Sequence, residues 1–338
     1  MSVPVLDSNK NPLMPCSEKR ARKLMEKNTA KPFWFKGIFC IILQKEPSFR
    51  YTQKIVVAID PGSKRTGVTV ATEQKVILNI QLNAPDWVKS AVKLKRILRR
   101  SRRGRKTPYR KCRFNRKIGG IPPSTKARWQ AHIRVVDVLF KIIPITDVII
   151  ENVKAKTKKG KKSWNKSFSP LEVGKLWFEN EVLKRGFKFY KFQGFETSKW
   201  RKSRGFEKTK AKLKDVWEAH IVDSHCLCEL LIGKIKPFKG FYRFDFLKWH
   251  RRQLHATNSV KGIRKDYGST VSLGIPRGML VVHSKYGKSY VGGSSKGRLS
   301  LHGFGDGKRL CRNAKKEDCN MLAKQIWSGF FSLKHHDS

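Results

Sequence analysis

The chain has 338 residues, with 75 Lys and Arg against 25 Asp and Glu, and its net charge of +50 is spread over nearly the whole length. A folded domain with that much self-repulsion gains solubility and loses stability unless a polyanion neutralises it, which excludes an ordinary small-molecule enzyme and points to nucleic acid. With 39% hydrophobic residues and 9 Trp the chain buries a real core, so it is not a basic disordered tail, and its charge is not gathered opposite one apolar helix face as it is at a membrane surface.

Residues 1–50 open with a short alternating strand around Val3 and Val5, a turn at Asp7 to Asn11, an apolar knot Pro12-Leu13-Met14-Pro15, and a basic helix from Ser17 to Lys27. The most apolar early stretch, Phe33 to Leu43, is interrupted by Lys36 and too short to span a bilayer, and no signal-peptide pattern precedes it. Residues 54–83 give three β-rich runs, KIVVAID, GVTVAT and KVILNIQL, separated by turns at Pro61-Gly62-Ser63 and Thr72 to Gln74. A helix is predicted from Asp86 to Arg103, then an extended basic segment. An amphipathic helix over 124–143 is ended by Pro144, and the nearly continuous apolar run TDVIIENV at 146–153 suits a buried central strand. A basic loop from Lys154 to Lys166, a helix from Ser169 to Arg185, a strand FKFYKF and a single final helix from Lys208 to Ile232 complete this part. The fold class expected is α/β: the order βββαβαβα is the RNase H-like order, a mixed sheet. Residues 234–338 add a basic aromatic connector, FYRFDFLKWHRRQLH, and short Gly-punctuated strands that suggest a small β-barrel.

Seven Cys form no C-x-x-C pair, which argues against a disulfide framework and a zinc knuckle and for reduced thiols in an internal, reducing compartment. Three acids fall at or near element ends facing one sheet edge: Asp60 ends the first strand, Glu151 lies near the end of the fourth, and Asp223 lies in the last helix. Both strand acids interrupt apolar runs, where an unpaired charge costs several kcal/mol, so a compensating cation is expected. Mg²⁺ suits carboxylate oxygens plus phosphate, and two such ions about 4 Å apart hydrolyse phosphodiesters. The bland alternative is strand-end acids paired with Lys or Arg. His220, three residues before Asp223, either positions water or phosphate or is a core-edge histidine.

AIDPGSKRTGVTVAT, VIIENV and EAHIVDS resemble the three RuvC motifs, NPLMPC resembles the PLMP module, and RRSRR matches the arginine-rich bridge motif of the RRXRR family. Together they resemble the transposon-encoded OMEGA nucleases of the IscB and IsrB families, over essentially the whole chain. The IscB family carries an HNH nuclease between its second and third RuvC motifs. Here only residues 152–219 intervene, with no His-Asn-His arrangement and no cysteine, so the resemblance is to the IsrB family.

The resemblance implies a PLMP module at 1–50, RuvC-like parts at 51–85 and 121–233, a bridge at 86–120, a connector at 234–265 and a C-terminal β-rich domain at 266–338 that meets a target-adjacent motif or RNA. It further implies a monomer in complex with a structured noncoding guide RNA, which opens double-stranded DNA and nicks the displaced nontarget strand with one Mg²⁺-dependent RuvC site, Mn²⁺ being able to substitute. Asp60, Glu151 and Asp223 would hold the metals, with His220 as a fourth catalytic residue. Arg96, Arg99, Arg100, Arg102, Arg103 and Arg105 would lie along guide phosphates, and Trp249, His250, Arg251, Arg252 and His255 would grip structured RNA. The expected location is the bacterial cytoplasm or nucleoid, with an organelle interior as the alternative. Two further readings remain open at this point: a protein that binds RNA or DNA without cutting, and a stand-alone RuvC-type junction nuclease.

Overall fold

The computed structural model describes residues 2–85, 87–104, 121–154, 170–209, 211, 214–245, 271–303, 308–323 and 330–334. They form two compact units, one of residues up to Lys31, Ile41–Tyr242 and residue 334, the other of Pro32–Cys40 and Arg243–Leu333. Among the described residues no helix is long and apolar enough to cross a membrane.

The chain opens with β1 (Ser2–Leu6), β2 (Pro12–Ser17), α1 (Glu18–Glu26), β3 (Ala30–Phe35) and β4 (Ile38–Leu43). The apolar knot is itself a strand, β2, antiparallel to β1. It runs along an edge of its sheet, where prolines, which lack an N–H to donate, are tolerated. Ser17 then caps α1, its side chain accepting from the Arg20 amide. Parallel to β1 on its other side are Ile41 and Ile42 of β4.

The central sheet of the first unit follows from β5 (Val56–Asp60), β6 (Arg65–Ala71), β7 (Val76–Asn83), β8 (Asp147–Glu151) and β9 (Lys188–Phe192). Adjacent strands run in the order β7-β6-β5-β8-β9. β5, β6 and β7 form an antiparallel meander, while β8 lies parallel to β5 and β9 parallel to β8. Three antiparallel strands continued by two parallel ones is the RNase H-like mixed sheet. β5 and β8 are buried along their length except at Asp60 and Glu151, because helices cover both faces. On one face His132 of α3 (Pro123–Phe140), within a cluster with Trp129 and with Phe178 of α4 (Pro170–Leu183), reaches Thr66 of β6 at 3.0 Å. On the other, Leu227 and Cys228 of a C-terminal helix pack with Val56, Ala58, Ala71 and Ile149.

That C-terminal helical region differs from expectation. In place of one helix over 208–232 stand α6 (Trp217–His220) and α7 (Val222–Ile232), preceded by a further helix, α5 (Gly194–Ser203), while α2 (Trp87–Arg103) is in its predicted place. α5 is started by Glu196, whose carboxylate accepts the Gln193 amide at 2.5 Å. It is fastened to α7 through Glu229, which is 1% exposed: Trp200 Nε1 donates to it at 2.9 Å, Arg204 Nη2 at 3.0 Å and the Ile235 amide at 3.0 Å.

FYRFD, expected as connector, forms the strand β10 (Phe241–Asp245), with Phe241 and Tyr242 in the first unit and Arg243–Asp245 in the second. The expected barrel is, among the described residues, an open antiparallel sheet in the order β16-β15-β14-β13-β17, built from β13 (Leu280–His283), β14 (Gly287–Ser295), β15 (Arg298–Gly303), β16 (Arg309–Ala314) and β17 (Cys319–Ala323). The short pair β11 (Val271–Ser272) and β12 (Ile275–Pro276) precedes it, and β18 (Phe330–Lys334) follows. Val281, Val291, Leu299 and Leu301 form its core with Met279 and Ile275.

Burial works to raise the Glu229 carboxyl, but its bonds to His225, Arg204, the Ile235 amide and Trp200 prevail and hold it down at about 2, against an ordinary 4.5. A folded-state value below the unfolded one contributes stability above pH 4.5 that is lost as pH falls toward 2, on the order of 3 kcal/mol. Melting followed against pH should therefore show wild type losing stability below pH 4.5, while Glu229→Gln starts less stable and lacks that component. Parallel curves for the two proteins would contradict this role.

Candidate active site

Strand alternation places the acids. Side chains two apart on a strand share a face, so Asp60 follows Val56 and Ala58, and Glu151 follows Ile149, onto the face that α7 covers. The parallel register pairs Ile59 with Ile150, and the next residues along are Asp60 and Glu151, which share a side-chain hydrogen bond. Asp223, in the first turn of α7 and 4% exposed, completes the group.

Several close approaches hold α6 and α7 in this register over β6. Gly67, the cross-strand partner of Asp60, lies against the His220 carbonyl so closely that a Cβ there would stand 1.7 Å from that oxygen. Two residues along the same face, Thr69 Oγ1 lies 2.9 Å from Ser224 Oγ and donates to Asn79 Oδ1 at 3.0 Å. Asn79 Nδ2 in turn donates to the Phe238 carbonyl at 2.5 Å. On the far side of Glu151, α5 begins at Gly194, where a Cβ would lie 2.9 Å from Glu151 Oε1. Behind Asp60, the tight turn Pro61 to Lys64 is closed by the Gly62 amide donating to Thr66 Oγ1 at 3.2 Å. His132, the other partner of Thr66, is pushed down to about 4 by burial and by Arg128, so it packs there as a neutral ring.

Asp60 keeps partial exposure, yet enclosing protein atoms desolvate it. That desolvation, followed by the charges of Glu151 and Asp223, pushes its carboxyl well above the ordinary range against the opposing pull of Lys208. Asp223 is held by two cations, Arg201 Nη1 donating to Oδ1 and Lys208 Nζ to Oδ2. Three hard carboxylate donors suit Mg²⁺ or Mn²⁺, and a divalent ion would offset both the desolvation and the repulsion that raise Asp60. Even so, no group of three His, Cys, Asp or Glu side chains among the described residues stands as a ready metal cage. Both oxygens of Asp223 are instead engaged by Arg201 and Lys208.

The structure thus brings Asp60, Glu151 and Asp223 together. His220 is half-buried and ends α6, separated from α7 by Ile221, so it does not lie on one helix with Asp223, as a single helix over 208–232 would have placed it. Arg96, Arg99 and Arg100 are exposed on α2. Arg102 and Arg103 lie in its last turn. Arg105, Trp249, His250, Arg251, Arg252 and His255 lie outside the described residues. Sequence reasoning alone does not find Arg201 and Lys208. The signal that points to Arg201 is the helix start at Gln193-Gly194-Phe195-Glu196, which puts Arg201 on a helix beside the last acid.

Residues 3–167 match the family model described as RRXRR protein. Among curated proteins there is no match. Two solved structures are similar at 13% identity. One is T. thermophilus RuvC in complex with a Holliday junction substrate, with a TM-score of 0.27 over 52% of this chain and 90% of that one. The other is a Thermus thermophilus RuvC structure, with a TM-score of 0.23 over 43% and 68%. The fold assignment rests on the strand order and helix placement above.

The backbone approach at Gly67 makes a sharp test of how Asp223 is placed. Gly67→Ala should force the α6–α7 junction off β6, lowering stability by about 1–3 kcal/mol and weakening Mn²⁺ binding to the acids, measured by calorimetric titration. Unchanged melting and unchanged Mn²⁺ binding would mean that this approach does not position Asp223.

Proposed function

We propose, for a chain whose residues 3–167 match the RRXRR family model, that Asp60, Glu151 and Asp223 form the single centre of a metal-dependent nuclease. The observation that carries this reading is the convergence of three carboxylates at two adjacent strand ends and a helix start, with Asp60 pushed well above its ordinary range. Two Mg²⁺ ions held by these side chains would activate a water and stabilise a leaving 3′ oxygen, with Mn²⁺ able to substitute. The protein's own part is to fix the carboxylates: β5 and β8 present Asp60 and Glu151, and α7 presents Asp223. His220 would position the water or the phosphate, and the apolar strand residues behind the acids exclude bulk solvent.

The net charge of +50 supports nucleic acid as the partner, and α2 supports a backbone-binding role. From Val92 to Ser101 this helix is exposed all round, a helix with little protein of its own to pack on. The full reading is an RNA-guided nickase: a structured noncoding RNA bound along α2, a DNA duplex opened by base pairing, and the displaced nontarget strand cut once. Affinity would come from pairing and backbone contacts, so binding and cutting should separate.

Asp60→Asn keeps shape and removes charge. It should lower nicking of a guide-matched plasmid by a hundredfold or more, equivalent to about 3 kcal/mol or more in the barrier, while guided DNA binding stays nearly intact. His220→Ala should slow the reaction without removing metal binding. An Asp60→Asn protein that nicks at the wild-type rate, or a wild type that cuts both strands efficiently, would overturn the single-centre reading. For the RNA, replacing Arg99, Arg100, Arg102 and Arg103 together with Ala should lower the slope of log affinity against log salt by about 0.7–0.9 for each phosphate no longer neutralised. An unchanged slope would exclude the helix from the RNA interface.

A further inference from the structure

Both carboxylate oxygens of Asp223 are engaged, Oδ1 by Arg201 and Oδ2 by Lys208, and any metal ion held by this residue needs at least one of them. The two cations are not equivalent. Arg201 is 17% exposed and sits on α5, whose neighbouring Trp200 and Arg204 are both bonded to the buried Glu229 of α7. The Arg201 backbone is thereby fixed against α7, and its side chain is the more enclosed of the two. Lys208 lies outside any helix, its side chain is 39% exposed, and its ammonium rides on a flexible four-carbon stem. That ammonium contacts Asp223 and interacts electrostatically with Asp60, so one mobile cation is shared by two of the three carboxylates.

We propose that Lys208 is a tethered stand-in cation, holding the carboxylate cluster together while no metal is bound and moving onto a nucleic-acid phosphate when metal displaces it. The inference rests on the nuclease reading above. A divalent ion bound beside Asp223 repels the ammonium, and the phosphodiester is the anion that arrives with the substrate. Arg201 stays on Asp223 and keeps α7 in register. Lys208 is thus a positioning residue twice over, first for Asp223 and then for the strand to be cut.

The test uses the full chain and Mn²⁺ alone as probe, with binding read by electron paramagnetic resonance and the Asp60→Asn protein as the reference for sites elsewhere. Lys208→Met should bind Mn²⁺ at the carboxylates about tenfold more tightly, because a charge among the ligands has gone, while Lys208→Arg stays near wild type. In the guide-loaded complex at saturating Mg²⁺, Lys208→Met should nick more slowly and Lys208→Arg should retain the rate. A purely structural lysine predicts the opposite pattern, weaker Mn²⁺ binding in Lys208→Met along with a lowered melting temperature. If Lys208→Met binds Mn²⁺ no tighter although Asp60→Asn abolishes binding, the stand-in role is wrong and the metal-site reading survives. If it binds tighter but nicks at the full rate, the transfer to phosphate is wrong. If Asp60→Asn leaves Mn²⁺ binding unchanged, the nuclease reading fails and this inference with it.

Discussion

Three carboxylates are held within reach of one another against their own repulsion, in a chain with three times as many basic as acidic residues. Much of the first unit serves to sustain that arrangement. The alternation of β5 and β8 turns Asp60 and Glu151 to the same face, and the absence of side chains at Gly67 and Gly194 lets α6 and α5 close on them from two sides. The Thr69, Asn79 and Ser224 bonds lock α7 to the sheet at the residue next to Asp223. Without a metal, Arg201 and Lys208 supply the positive charge. Glu229 anchors the helix that carries Arg201, so a buried ion pair away from the acids contributes to their geometry.

The distribution of charge gives the site its context. A surface this basic is self-repelling until a polyanion binds, and α2 exposes Leu94, Ile97 and Leu98 beside its arginines. The acids form a small negative enclave in this field, and a phosphodiester drawn in by the surrounding Lys and Arg would reach them only as the cations among them give way.

Much of the fold is legible in the sequence, because its central strands are apolar runs bounded by turns and punctuated by single acids. KIVVAID and TDVIIENV contain β5 and β8 with Asp60 and Glu151 at their ends. The region after β9 is less legible. FQGFETSKWRKSRG is rich in basic residues and has a weak apolar periodicity, so α5 is held by its start signal and its ion pairs to α7 rather than by a hydrophobic stripe. The helix expected over 208–232 breaks at Ile221, where Gly67 meets the His220 carbonyl, a tertiary approach that local propensity does not encode. FYRFD suggests a connector because aromatic and basic residues together suggest RNA, yet its alternation is that of a strand. The C-terminal strands follow from their Gly-punctuated pattern, but closure into a barrel depends on pairing between edges, which strand patterns alone do not specify.

The most direct measurement of the central claim is an anomalous-difference map from crystals of the full chain soaked in Mn²⁺. The account predicts two peaks roughly 4 Å apart, bounded by the side-chain oxygens of Asp60, Glu151 and Asp223, with the Lys208 ammonium moved off Asp223. No peak among these three carboxylates at saturating Mn²⁺, or Mn²⁺ bound only elsewhere in the chain, would contradict it.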